Sequence, residues 1–193
     1  ILTFLDTRGV DEPGYDPTAD IAAFDAEAQL VIVTNRVTVF ANGNLRNALV
    51  KNRKAYRDRP IVLVLTCLHE VHPQDEHDQP YPFDPLSHRS GEAPRIDPHV
   101  HPELKRLVLE QARQFNGLVD RIVPIDLTPT EEGYRDPTYG GEVLKKVLLD
   151  QLPDAYRATL SRLTEVSDQL KDVHLRHALP VILGYSSLAT SAG

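Results

Sequence analysis

Asp6 directly follows Ile1–Leu5, the first β-rich run of the chain, and Gly9 stands three positions later. An aspartate carboxylate is a hard oxygen ligand of the kind that Mg²⁺ takes, and a glycine lets the backbone approach a phosphate closely. Both residue types are also common in the turns that end strands. Taken alone, the pattern indicates either a magnesium and phosphate site or an ordinary turn.

A second group of residues suited to chemistry lies between residues 69 and 101, which contain six of the eight histidines among many acids and prolines. His69-Glu70-Val71-His72 is one residue shorter than the zinc protease signature HExxH, so its histidines stand at i and i+3. Imidazole and carboxylate groups bind Zn²⁺, although loops of this composition are often simply solvated. We therefore expect a long insertion that is a metal-binding loop, a lid or a surface excursion.

The elements that must position these residues alternate along the chain. Nearly continuous apolar runs, typical of strands buried on both faces, occupy Ile1–Leu5, Gln29–Thr34, Pro60–Thr66 and Arg121–Ile125. Helical patterns occupy Thr18–Ala28, Leu45–Tyr56 and Pro102–Phe115. Strand and helix in alternation predict an α/β fold with a doubly wound, mainly parallel sheet. Ligands of such sheets bind beyond the carboxyl ends of the strands, where Asp6, Thr66 and Asp126 fall.

The last part of the chain has a different pattern. After Pro153, apolar residues recur at spacings of three and four from Tyr156 to Val173, which predicts a long amphipathic helix. Ala178–Gly193 is apolar but shorter than the roughly 20 residues that span a bilayer. We expect one domain over residues 1–152 and a C-terminal region over 153–193. That region is the start of a membrane segment, a helix that packs on a partner protein, or a helix that docks on its own domain.

Composition narrows the class of protein. The chain has 193 residues, 41% of them hydrophobic, which suits one soluble domain with a real core. A net charge of -7 argues against a nucleic-acid partner, because backbone phosphates require basic surface. A single cysteine and no signal-peptide pattern favour the cytoplasm. Since the chain has no methionine and opens within a strand pattern, we expect an N-terminally truncated fragment.

The order of these motifs resembles the second half of a P-loop GTPase of the translation-factor-related class, a bacterial-type GTPase domain followed by a hydrophobic C-terminal region. The resemblance covers about residues 1–152. It implies that Asp6 holds Mg²⁺ through water and that Gly9 contacts the γ-phosphate of GTP. Thr66-Cys67-Leu68-His69 takes the place of the guanine-recognition motif, and Asp126-Leu127 the place of the last base-contacting loop. The nucleotide-binding residues that it implies are Asp6, Gly9, Thr66, Cys67, His69, Asp126 and Leu127.

The chain departs from the family pattern at several points. The family has Asn-Lys-x-Asp where Thr66–His69 stands, and a histidine cannot supply the two acceptors of that carboxylate. Glu70 is a substitute acceptor if the loop is shifted, so recognition of guanine or of another base such as adenine stays open. No phosphate-binding GxxxxGK[ST] loop occurs in the chain. Val10, which follows Gly9, cannot orient water, so the catalytic group is unassigned.

The expected function is therefore GTP binding with Mg²⁺, and hydrolysis of GTP to GDP and phosphate by the full-length parent. The fragment alone is expected to be inactive. Its expected location is the cytoplasm, or the inner face of a membrane. Two alternatives remain: a metal-binding hydrolase built on the His-rich loop, and a non-catalytic interaction module recruited to a membrane through its C-terminal segment.

Overall fold

The computed structural model describes residues 28–71, 77–85, 94–128 and 136–152. Within these ranges the chain is an α/β protein, as predicted. Its elements are β1 (Val31–Arg36), α1 (Gly43–Ala55), β2 (Ile61–Thr66), β3 (Phe83–Asp84), β4 (Arg95–Ile96), α2 (Pro102–Gln114), β5 (Arg121–Pro124) and α3 (Gly141–Gln151). A 3-10 turn, Leu68–Val71, follows β2. Gln29–Gln151 form one compact unit.

The main sheet has three parallel strands in the order β1-β2-β5. The structure confirms the three predicted strands in this region, with ends shifted by no more than two residues. In β2, Ile61–Leu65 are wholly inaccessible to solvent, because this strand has a neighbour on each side and is covered on both faces. The expectation of burial on both faces is wrong for β1, where Ile32 is 36% exposed. Among the described strands, β1 pairs only with β2.

Helix α3 covers one face of this sheet. Leu144 and Val147 pack against a cluster that contains Val62, Val64, Val123 and Ile125. Because side chains alternate along a strand, Leu63 and Leu65 face the other side, and they are buried as well. The central strand β2 is therefore buried on both faces. This helix was not predicted, although the spacing of its apolar residues is helical.

Helices α1 and α2 are close to their predicted bounds. The buried residues of α1 are Leu45, Leu49 and Asn52, which lie on one face at helical spacing. Helix α2 begins at Pro102, whose fixed φ suits the first helical position. Gln111 of α2 is completely buried, and its amide donates to the carbonyls of Val37 (3.0 Å) and Val39 (2.7 Å). Side-chain hydrogen bonds thus hold α2 to the loop that follows β1.

A carboxylate joins three elements at the amino ends of β2 and β5. Asp120 accepts hydrogen bonds from the Arg53 guanidinium and from the backbone N–H of Ile61, both at 2.8 Å. Arg53 also donates to the carbonyl of Leu118 at 2.9 Å. The end of α1 and the starts of two strands are fixed to each other by this one group.

The described part of the predicted insertion contains a short antiparallel pair, in which Phe83 lies opposite Ile96. The predicted strand Ile1–Leu5, the predicted helix Thr18–Ala28 apart from its last residue, and the predicted C-terminal helix lie outside the described residues. So do Asp6 and Gly9. None of the helices within the described ranges is long and apolar enough to cross a membrane.

The turn before α3 depends on Gly140, whose φ is +80°. A Cβ there would lie 2.7 Å from the carbonyl oxygen of Pro124 and 2.9 Å from Cε2 of Tyr81. We expect Gly140→Ala to lower the free energy of unfolding by roughly 3 kcal/mol or more, since it adds a collision with backbone to the cost of the left-handed conformation. Urea unfolding measures this change.

Gly117 is the matched control, because its φ is +73° and a Cβ there would meet nothing within 4 Å. Gly117→Ala should lower the free energy of unfolding only by the cost of the left-handed conformation, about 1–2 kcal/mol. Equal losses in the two variants would show that the close approach at Gly140 is not tight.

Candidate functional site

The carboxyl ends of the three parallel strands meet at one edge of the sheet. The N–H of Val37, after β1, donates to the carbonyl of Thr66 at 3.0 Å, and the N–H of Ile125, after β5, donates to the carbonyl of Leu65 at 2.7 Å. The structure therefore brings together the loops that contain the predicted residues Thr66, Cys67, His69, Asp126 and Leu127. It describes neither Asp6 nor Gly9.

Asp126 follows β5 at this edge, and its side chain is only 2% exposed. Its carboxylate accepts a hydrogen bond from the backbone N–H of His69 at 2.6 Å. It also contacts His69 Nδ1 at 2.8 Å and His77 Nε2 at 3.0 Å. Because an ionised carboxylate only accepts, both of these ring nitrogens donate to it. One side chain thus fixes two loops and the tautomer of two histidines.

The ionised state of Asp126 follows from opposing effects on its pKa. Burial raises the pKa of this carboxyl, because it disfavours the charged form. The hydrogen bonds from His77 and His69 stabilise the charge and outweigh burial, so that the pKa lies below its ordinary value. Asp126 is therefore a carboxylate at neutral pH.

Tyr139 contacts both Asp126 and His77. The His77 ring stacks on Tyr139, with ring centres 4.2 Å apart and an interplanar angle of 9°. The backbone carbonyl of Tyr139 accepts the N–H of Asp126 at 2.9 Å, and its hydroxyl donates to the carbonyl of Asp78 at 2.9 Å. Tyr81 donates to the carbonyl of Pro124 at 2.7 Å. These contacts connect the insertion to the end of β5.

The loop after β2 turns sharply at Cys67, a non-glycine residue in the left-handed region with φ 59°. Such a conformation costs roughly 1–2 kcal/mol for a residue with a Cβ. The next residue, Leu68, is wholly buried, whereas Thr66, Cys67 and His69 are partly exposed. The side chains that a ligand could meet in this loop therefore include those of Thr66, Cys67 and His69.

Glu70 connects this loop to the loop after β1. Its carboxylate forms an ion pair with Arg36 and accepts a hydrogen bond from Thr38 Oγ1 at 2.8 Å. Both oxygens of the Glu70 carboxylate therefore already have donors from the protein. Cys67 Sγ, a ring nitrogen of His69 and a carboxylate oxygen of Glu70 all lie within 4.8 Å of one another.

The sequence did not point to His77 and Tyr139 as residues of this edge. His77 is one of the six histidines of the insertion, but no spacing pairs it with a carboxylate 49 positions away. Leu127, predicted to contact a base, is partly buried and packs against the core cluster beneath α3. The N–H of Asp126 is bonded to Tyr139, so the described contacts give Asp126 a positioning role.

No family model, curated protein or solved structure matches the chain. The function of this edge is therefore inferred from its own geometry. Its elements are a buried, fully engaged carboxylate, a strained loop held by it, and partly exposed thiol and imidazole side chains.

Asp126 makes stability depend on pH in a defined direction. Since its folded pKa is depressed, its contribution is fully present above the unfolded pKa of about 3.9 and is lost as pH falls through the lower folded value. Asp126→Asn should lower the free energy of unfolding at pH 7 by roughly 2–4 kcal/mol. The difference in free energy of unfolding between this variant and the native chain should become smaller below about pH 4.

Urea unfolding from pH 7 to pH 3 tests this dependence. Asp58→Asn is the control, because Asp58 is an exposed aspartate. It should unfold like the native chain throughout. A deficit for Asp126→Asn that is unchanged at pH 3 would contradict the assigned charge.

The backbone conformation at Cys67 can be tested by removing its side chain in two ways. Cys67→Gly and Cys67→Ala both delete the thiol, but only glycine adopts a φ of 59° without cost. We expect the glycine variant to be the more stable of the two by about 1 kcal/mol in urea unfolding. An alanine variant that is equally or more stable would show that this position is not left-handed in solution.

Proposed function

We propose that the whole protein to which this chain belongs binds GTP with Mg²⁺ and hydrolyses it to GDP and phosphate. In this proposal the chain supplies half of a doubly wound domain of P-loop NTPase type. The observation that carries it is the hydrogen-bonded junction of the β2 and β5 loops through Asp126 and His69, at the carboxyl edge of a parallel sheet. Ligands of open parallel sheets bind at that edge.

The loop after β2 supports a role beside the base. Thr66, Cys67 and His69 are among its partly exposed residues, and Leu68 anchors it in the core. Asp126 acts on this loop as a positioning residue, because its buried carboxylate holds both the backbone and the ring of His69. A base-binding loop held in this way needs little rearrangement when a ligand arrives.

Base selectivity follows from the residue at the end of the motif. Guanine presents two neighbouring donors that a carboxylate accepts together, whereas a neutral histidine offers at most one acceptor nitrogen. Glu70 is engaged with Arg36 and Thr38. We therefore propose that discrimination between GTP and ATP is weaker than an aspartate at position 69 would give.

The roles proposed for the residues that contact phosphate and Mg²⁺ depend only on the resemblance to P-loop GTPases. Asp6 would hold Mg²⁺ through water and Gly9 would contact the γ-phosphate, and both lie outside the described residues. The group that orients the attacking water is unassigned. We propose a cytoplasmic location. Recruitment to the inner face of a membrane, or to a helical partner protein, would use residues 153–193, which the structure does not describe.

Isothermal calorimetry on the natural gene product that contains this sequence tests the proposal. With Mg²⁺ present, GTP should bind, and Asp6→Asn should weaken GTP binding at least tenfold by removing the magnesium ligand. The affinities for GTP and ATP should differ by less than about tenfold, since His69 cannot accept from both donors of guanine.

Asp58→Asn, which changes an exposed aspartate, is the control and should leave both affinities unchanged. A natural gene product that binds neither GTP nor ATP in the presence of Mg²⁺ rules out the proposed function.

A further inference from the structure

A cluster of three metal-ligating side chains lies in the loop after β2. Cys67 Sγ, a ring nitrogen of His69 and a carboxylate oxygen of Glu70 are within 4.8 Å of one another. We propose that these residues bind a transition-metal ion of the Zn²⁺ type, separate from the magnesium of the proposed nucleotide site. The fourth position of the ion is left for water or another ligand.

The donor set selects this class of metal. Zn²⁺ binds thiolate at about 2.3 Å and imidazole or carboxylate at about 2.0–2.2 Å, usually in a tetrahedron. Neighbouring ligand atoms of such a tetrahedron are roughly 3.3–3.8 Å apart, so side chains already within 4.8 Å need only a small approach. Mg²⁺ prefers six oxygen ligands and does not suit a thiolate and an imidazole.

Asp126 prepares His69 for this role. Its carboxylate accepts a hydrogen bond from His69 Nδ1 at 2.8 Å, which places the proton on that nitrogen and the lone pair on Nε2. A histidine that binds a metal through one nitrogen commonly donates from the other to a carboxylate. The Asp126 side chain is 2% exposed and is held by His77 as well, so it fixes the ring firmly.

Glu70 is oriented in a similar way by its partners. Arg36 pairs with one carboxylate oxygen and Thr38 donates to the other. Because a carboxylate offers about four lone-pair positions, it can keep such partners and still bind a metal. The left-handed turn at Cys67 bends the chain between Thr66 and Leu68, and the thiol lies near the two residues that follow Leu68.

Binding of the ion has a defined proton balance. The thiol of Cys67 releases its proton to solvent as the sulfur–metal bond forms, and no electron is transferred. The affinity for the ion therefore rises with pH while the unbound thiol is still protonated. A thiolate bound to Co²⁺ absorbs in the near ultraviolet by charge transfer, and tetrahedral Co²⁺ absorbs in the visible.

Titration of the reduced, nucleotide-free chain with Co²⁺ tests the site. We expect one ion per chain with both absorption features, and displacement of Co²⁺ by Zn²⁺. Cys67→Ser should abolish the charge-transfer band, and His69→Ala and Glu70→Gln should each weaken binding at least tenfold. His99→Ala is the control, since the His99 side chain is 96% exposed and bonded to Asp97, and it should leave the titration unchanged.

His69→Ala also removes a partner of Asp126 and could unfold the chain. Glu70→Gln changes a surface ion pair, so it still tests metal binding if the His69→Ala variant unfolds. Absence of a charge-transfer band in the native chain overturns the proposal, as does a band that survives Cys67→Ser. Losses of tenfold or more that are confined to variants of other histidines would place the metal elsewhere and also refute it. Because no nucleotide is present, the result is independent of whether the protein binds GTP.

Discussion

The arrangement of the carboxyl edge depends on one buried charge. A carboxylate removed from water is costly unless donors replace its hydration, and Asp126 has three of them, from His69 and His77. Its own N–H is held by Tyr139. Segments far apart in the sequence meet there because each supplies part of that compensation. Loss of one donor would leave the charge of Asp126 less well compensated.

A second carboxylate acts at the opposite end of the same strands. Asp120 precedes β5 and Asp126 follows it, and each fixes part of the loops that flank β2. The central strand is thereby held at both ends by groups from its neighbour, besides its ladder of backbone hydrogen bonds. Such a strand is a rigid base for the loop that leaves it at Thr66.

Continuous apolar runs were enough to predict the three described parallel strands, because strands covered on both faces need apolar side chains at every position. The same pattern could not separate central β2 from β1, whose exposure depends on its neighbours. The short helix α3 was missed in spite of its spacing. Topology predicted that Asp6, Thr66 and Asp126 would share an edge, and the structure brings the loops of Thr66 and Asp126 together there. The bonds from His69 and His77 to Asp126 could not be predicted, because they link positions 57 and 49 residues apart.

The burial of Leu68 affects how a ligand would bind to the loop after β2. It is wholly buried between partly exposed neighbours, and together with Asp126 it fixes the loop when the protein folds. The conformational entropy of this segment is therefore lost during folding and not again when a ligand arrives. Recognition at such a loop approaches rigid docking, so differences in affinity between related ligands should arise chiefly in their rates of dissociation.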